Sequence, residues 1–183
     1  VNIARSLYRM SQPDSVRSFL LSLKVNHPDN IFRKNRLLGD VAYSLLGDYR
    51  KALEYYHKSR ELLTVIEGVS TDDRANLLFY MAEAHNELHK PDSARYYLSL
   101  SQEESAKKES SGNLWKAKYY YSVGKTFIFE RIPDSVKYYL AKSASVFDRE
   151  DKTQRDYYFH LSHLHEIYAY FYFQIGYQDS LLF

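Results

Sequence analysis

Large apolar side chains recur at intervals of three and four along most of this chain. In one stretch they fall at Trp115, Tyr119, Tyr120, Val123 and Phe127 with Gly124 on the same face, and in another at Leu77, Leu78, Met81, Ala82, His85 and Leu88. That spacing gathers them on one side of a helix with about 3.6 residues per turn. Three shorter stretches predict further amphipathic helices: Ala52, Tyr55, Tyr56 and Ser59, then Ala94, Tyr97, Leu98 and Ser101, then Val136, Tyr139, Leu140 and Ser143. Proline punctuates the pattern. The residue before proline avoids helical backbone, so Gln12, Lys90 and Ile132 are each expected to close a first helix. Asp14, Asp92 and Asp134 follow, and their carboxylates can accept the free amide hydrogens at the start of a second helix. The polar stretches 67–73, 103–112 and 148–153 read as helix ends and turns, with no domain boundary among them.

The pattern repeats. Pro-Asp-Ser-Val/Ala-Arg/Lys occurs at 13–17, 91–95 and 133–137; Gly47-Asp48-Tyr49-Arg50-Lys51-Ala52-Leu53 is a related copy, and Gly176-Tyr177-Gln178-Asp179-Ser180-Leu181 a partial one. Aligning Val16, Ala52, Ala94, Val136 and Leu181 gives spacings of 36, 42, 42 and 45 residues. Twelve residues before each lie Ala4, Asp40, Ala82, Gly124 and Ala169, four of them small, as close helix crossing requires. Four residues after the first four lie Leu20, Tyr56, Leu98 and Leu140, all large. Small against large is the packing of a helix hairpin, and Asp40 at the crossing implies a local adjustment there. Repetition at this period marks a stacked array.

The residues of the second unit carry a resemblance. Leu38-Gly39, Tyr43, Leu46-Gly47-Asp48-Tyr49 and Ala52-Leu53-Glu54-Tyr55-Tyr56, with Pro28 at the close of the preceding unit, resemble the tetratricopeptide repeat. The family's period is about 34 residues, and the longer spacings here add roughly a turn to each helix at about 1.5 Å of rise per residue. The resemblance implies an all-α, right-handed superhelix (α-solenoid) of antiparallel helix hairpins with about nine helices. It would form a single array over 1–183, with approximate units 1–27, 28–68, 69–110, 111–150 and 151–183. Long units with Asp-Ser-Ala/Val starts and many tyrosines are similar to the tetratricopeptide regions of Bacteroidetes regulators, where such arrays precede a membrane helix, a DNA-binding domain or a kinase module. The implied function is a sensory or scaffolding region of a bacterial transcriptional or signalling regulator, with a stand-alone adaptor in an assembly or secretion complex as the alternative.

In this family the first helices line a concave groove that takes a protein or peptide. The groove positions are then Lys34, Leu37, Val41 and Ser44; Asn76, Phe79, Glu83 and Asn86; Lys118, Tyr121, Lys125 and Ile128; and His163, Glu166, Tyr170 and Phe173. Lys118, Lys125 and Asn86 partly echo the family's clamp for a C-terminal carboxylate.

Composition narrows the classes. Net charge is +2 over 183 residues with both signs interspersed, so no basic face suited to a nucleic-acid backbone is expected. The absence of cysteine excludes disulfides and thiolate chemistry and leaves bacterial cytoplasm and periplasm equally open. No apolar run approaches the roughly 20 residues of a membrane span. The 19 Tyr and 10 Phe suit a thin core close to solvent. Residues 1–7 lack an initiator methionine and read as mid-helix, so the chain is expected to be a piece of a longer protein. His160, His163 and His165 with Glu166 suggest a metal, but His165 points about 200° from His163 around the helix, and three ligands cannot converge. His85 and His89 lack the His-Glu-x-x-His order, and no phosphate loop or nucleophile elbow is present. No enzyme, metal or cofactor is expected. Finally, Ile167-Tyr168-Ala169-Tyr170-Phe171-Tyr172-Phe173 is apolar around the whole helix and must be covered. The expected cover is a next helix opening at Asp179. Self-association of this end is the alternative, and lengthening the chain by one helix would then abolish dimers.

Overall fold

The computed structural model describes residues 13–107, 113–149 and 157–180, and the regular structure there is wholly helical. Eight helices follow in order among these residues: α1 Pro13–Ser22, α2 Pro28–Ser44, α3 Tyr49–Leu62, α4 Thr71–Glu87, α5 Pro91–Ala106, α6 Asn113–Phe129, α7 Pro133–Phe147 and α8 Tyr157–Ser180. The expected first helix, the turn residues 108–112 and 150–153, and Gln12 and Leu181 lie outside the described residues. Asp179, expected to open a ninth helix, instead continues α8, which also runs through Gly176 without a break. The chain divides into two compact units, 1–104 and 105–183.

In the first unit Val16 and Leu20 of α1 pack on Leu38 and Val41 of α2, with Phe19, Leu23, Leu37, Leu45 and Tyr55 around them. Helices α2 and α3 run antiparallel, joined near the open end where Ser59 donates to the Phe32 carbonyl (3.1 Å) and towards the middle where the Tyr56 hydroxyl donates to Asp40 Oδ1 (3.0 Å). Helices α4 and α5 repeat the arrangement, with Ser101 donating to the Ala75 carbonyl (2.7 Å) and the His85 ring stacked on Tyr97 (5.3 Å, 7°). In the second unit Ser143 of α7 donates to the Ala117 carbonyl of α6 (2.8 Å), and Phe127 stacks on Tyr139 (5.5 Å, 10°). Phe147 and Tyr157 meet edge to face where α7 adjoins α8.

The large residues Leu20, Tyr56, Leu98 and Leu140 are all buried, as the small-against-large pattern requires. One register differs. The residue beneath Tyr56 is Gly39, where any Cβ would overlap the ring, and Asp40 beside it accepts the Tyr56 hydroxyl. Gly39 thus lies thirteen residues before Ala52, against twelve from Ala82 to Ala94 and from Gly124 to Val136. The extra residue sits in the turn. After α4 and α6 the chain closes with His89 and Arg131 at φ 55° and 58°, the Lys90 amide donating to the His85 carbonyl and the Ile132 amide to that of Phe127. This is the Schellman closure. After α2 the left-handed residue is Gly47, at φ 63°, and the Asp48 amide reaches back one residue further, to the Ala42 carbonyl.

Helix starts also differ from the expected punctuation. Lys90 and Ile132 serve both ends: their amides complete the closure of α4 and α6, and their carbonyls accept from Ala94 and Val136 and so open α5 and α7. Proline is the first helical residue in each, where its missing N–H is no loss, and Asp92 and Asp134 sit inside the first turn, favoured by the positive end of the helix dipole. Side-chain capping occurs elsewhere: Asp48 accepts from the Lys51 amide (3.0 Å), and Ser70 from the Asp73 amide (3.1 Å).

Candidate interaction surface

The first-helix residues singled out in the sequence fall into three environments. Phe79, Glu83 and Asn86 on α4 are buried, and the Asn86 amide donates to Glu83 Oε1 at 3.4 Å. Lys118 and Tyr121 on α6 are buried as well, as are Val41 and Ile128. Asn76, Lys125, Leu37 and His163 are half-buried, and Ser44, Glu166, Tyr170 and Phe173 are exposed. Lys34 is half-buried and holds the end of a neighbouring helix, since its amine donates to the carbonyls of Leu23 (2.7 Å) and Leu21 (3.4 Å). A cation at the frayed carbonyl end of α1 satisfies acceptors that have no intrahelical partner.

Around Tyr121 the second unit builds a buried polar cluster. The Tyr121 hydroxyl lies 3.1 Å from His160 Nδ1, and the Lys118 amine sits over the Trp115 ring at 4.8 Å. Burial, followed by the charge of Lys118 and then of His163, holds the His160 imidazole down to a pKa of about 3. His160 is therefore neutral at physiological pH. His163 leans on the Phe159 ring (4.7 Å) and faces Glu166 at 3.5 Å, while His165 is exposed. The three histidines point to three different surroundings, and among the described residues no group of three His, Asp or Glu side chains is placed to hold a metal ion.

Two features of the first unit carried no sequence signal. Arg36 of α2 contacts Asp73 of α4 (3.2 Å), and Asp73 also accepts from the Ser70 hydroxyl (2.9 Å), so the cap of α4 is tied to the preceding first helix. The pairing spans 37 residues and nothing local announces it. A cleft lined by Arg17, Leu38, Val41, Leu46, Asp48 and Tyr55, among others, opens where α1, α2 and α3 meet. It combines an apolar floor with charges of both signs.

These hairpins have a counterpart among known families. Residues 31–103 match the tetratricopeptide repeat. The match starts in the first turn of α2 and ends in α5, so it contains both hairpins of the first unit, α2–α3 and α4–α5. The all-helical fold, built of consecutive antiparallel hairpins, is that of a tetratricopeptide-like helical solenoid. No curated protein matched the chain. Tetratricopeptide repeats are generally modules for contacts between proteins. Among the described residues no helix is long and apolar enough to cross a membrane.

Proposed function

We propose that this chain is a non-catalytic protein- or peptide-interaction module that serves as the sensory or scaffolding region of a bacterial transcriptional or signalling regulator. The observation that carries the reading is the pair of tetratricopeptide hairpins over 31–103, because that family works through its surface and not through a reactive centre. The Asp-Ser starts, long units and tyrosine-rich faces favour the regulator over other uses of the fold. The partner meets the first-helix faces through the side chains that reach solvent: Asn76 in the first unit, and Lys125, His163 and Tyr170 in the second. Buried Phe79, Asn86, Lys118 and Tyr121 shape those faces from beneath.

Peptides selected from a display library on the purified chain supply the test ligand. Lys125→Glu and Tyr170→Ala should each weaken the selected peptide at least fivefold with the melting temperature unchanged. Selection of no peptide, or of peptides indifferent to both changes and to Asn76→Ala, removes these faces from the reading. The complete open reading frame separates the roles. A DNA-binding, kinase or membrane segment beside the repeats supports the regulator, whereas repeats alone support an adaptor.

A further inference from the structure

Three residues beyond the small crossing residues Ala82 and Gly124 lie His85 and Phe127. Each lays its ring on a tyrosine of the helix that follows, His85 on Tyr97 (5.3 Å, 7°) and Phe127 on Tyr139 (5.5 Å, 10°). The packing therefore asks only for a flat ring. What histidine adds to phenylalanine is two nitrogens, and one of them, Nδ1 of His85, is buried with no hydrogen-bond partner among the described residues.

Tyr97 also draws in basic groups from α3. The His57 ring meets it edge-on (6.2 Å, 71°), and the Arg60 guanidinium lies over it at 5.6 Å. Buried Tyr97 of α5 thus joins hairpin α2–α3 to hairpin α4–α5. Neutral His85 with its proton on Nε2 leaves Nδ1 as an unfilled acceptor only. The imidazolium carries a buried N–H at Nδ1 with nothing to accept it, a costlier state. A tyrosine ring attracts a cation, but this one already holds Arg60. The charges that bear on His85 are those of Lys90, in the turn after α4, and of His57. Those that bear on His57 are Arg60 and Glu61 of its own helix, and only Glu61 favours its protonation. Burial is the largest cause for both rings and lowers each pKa from the ordinary 6.5. Both are neutral at pH 7, and what they contribute to the folded state is lost as the pH falls below 6.5.

We propose that the Tyr97 junction is an acid-sensitive clasp between hairpins α2–α3 and α4–α5, closed while His85 and His57 are neutral and parted when they gain protons. Each hairpin keeps its own serine bond, Ser59 to Phe32 and Ser101 to Ala75, so the two move apart as bodies. The Arg36 and Asp73 pair ties the first helices α2 and α4 to each other and serves as the pivot. The clasp lies between the second helices, and its opening changes the angle at which the faces of α2 and α4 meet a bound protein.

The chain has no cysteine, so spin labels placed through Lys58→Cys on α3 and Ser99→Cys on α5, both exposed, report the gap without background. Pulsed electron resonance on samples frozen from about pH 8 and about pH 5 reads it. The distance should lengthen at the lower pH and return on neutralisation, with helical circular dichroism unchanged. His85→Phe copies the Phe127 and Tyr139 stack and should hold the gap at its neutral value throughout. In proton resonance spectra the His85 imidazole should titrate below 6.5 and move upward in His57→Gln, which removes a neighbouring charge. A gap indifferent to pH overturns the proposal, as does an opening that persists in His85→Phe or that comes with lost helicity. A His85 midpoint at or above 6.5 overturns it as well, and that result stands even where His85→Phe fails to fold.

Discussion

Gly39 and Gly124 occupy the same place in their hairpins, yet a methyl group meets different atoms at each. At Gly39 a Cβ would overlap the ring of Tyr56, which is wholly buried and whose hydroxyl is bonded to Asp40. At Gly124 it would lie 3.0 Å from Leu140 Cδ2, the flexible end of its side chain. Overpacking a rigid site costs about 1–3 kcal/mol, while replacing a helical glycine by alanine returns about 1 kcal/mol. Gly39→Ala should therefore destabilise by up to about 2 kcal/mol and Gly124→Ala should be close to neutral, as urea denaturation would show. Arg131 presents the opposite case, a side chain held at φ 58°. The left-handed region costs a non-glycine residue about 1–2 kcal/mol, part of which glycine's own entropy takes back. Arg131→Gly should raise stability by about 0.5–1 kcal/mol, visible as a higher urea midpoint with unchanged slope.

At the scale of the helices, the recurring serine hydroxyls are the most specific contacts in the hairpins. Ser101→Ala removes a buried bond to the Ala75 carbonyl and should cost about 1 kcal/mol. Ser99→Ala, on the exposed side of the same helix, should change stability by less than about 0.5 kcal/mol in the same assay. What could be read in advance follows from where the information lies. Crossing positions were legible because volume is written in residue type: alanine or glycine opposite leucine or tyrosine says which faces meet. The serine acceptors were not, since a backbone carbonyl 26 or 27 residues away has no residue signature. Nor was the slip from Asp40 to Gly39, which depends on one extra residue being absorbed at Gly47. The candidate surface was legible only by face. Helical periodicity placed Lys118 and Tyr121 on the side away from α7, but a first helix in an array meets more than its own partner. His160 of α8 arrives at Tyr121 and buries that side too.

That meeting of α6 and α8 ties the stability of the whole chain to pH. His160 keeps its proton off until a pKa of about 3 in the folded protein, against about 6.5 when unfolded. The unfolded chain therefore binds the extra proton throughout that interval, and stability must rise with pH across it. The contribution is complete above about pH 6.5 and is lost progressively as the pH falls towards 3. Burial also lowers the pKa of His57 and His85, so their contributions have the same sign. The charges facing His160 come from both helices, Lys118 on α6 and His163 on α8, and each opposes a second positive charge. Subtracting a variant isolates the one site. Between pH 7 and pH 5 the chain should lose about 2 kcal/mol more than His160→Gln, at about 1.4 kcal/mol per pH unit below the unfolded pKa. Urea unfolding of both proteins at the two pH values measures the difference. Parallel losses in chain and variant would mean that imidazolium is tolerated beside Tyr121. In that case α8 yields locally on protonation and the cluster does not fasten it.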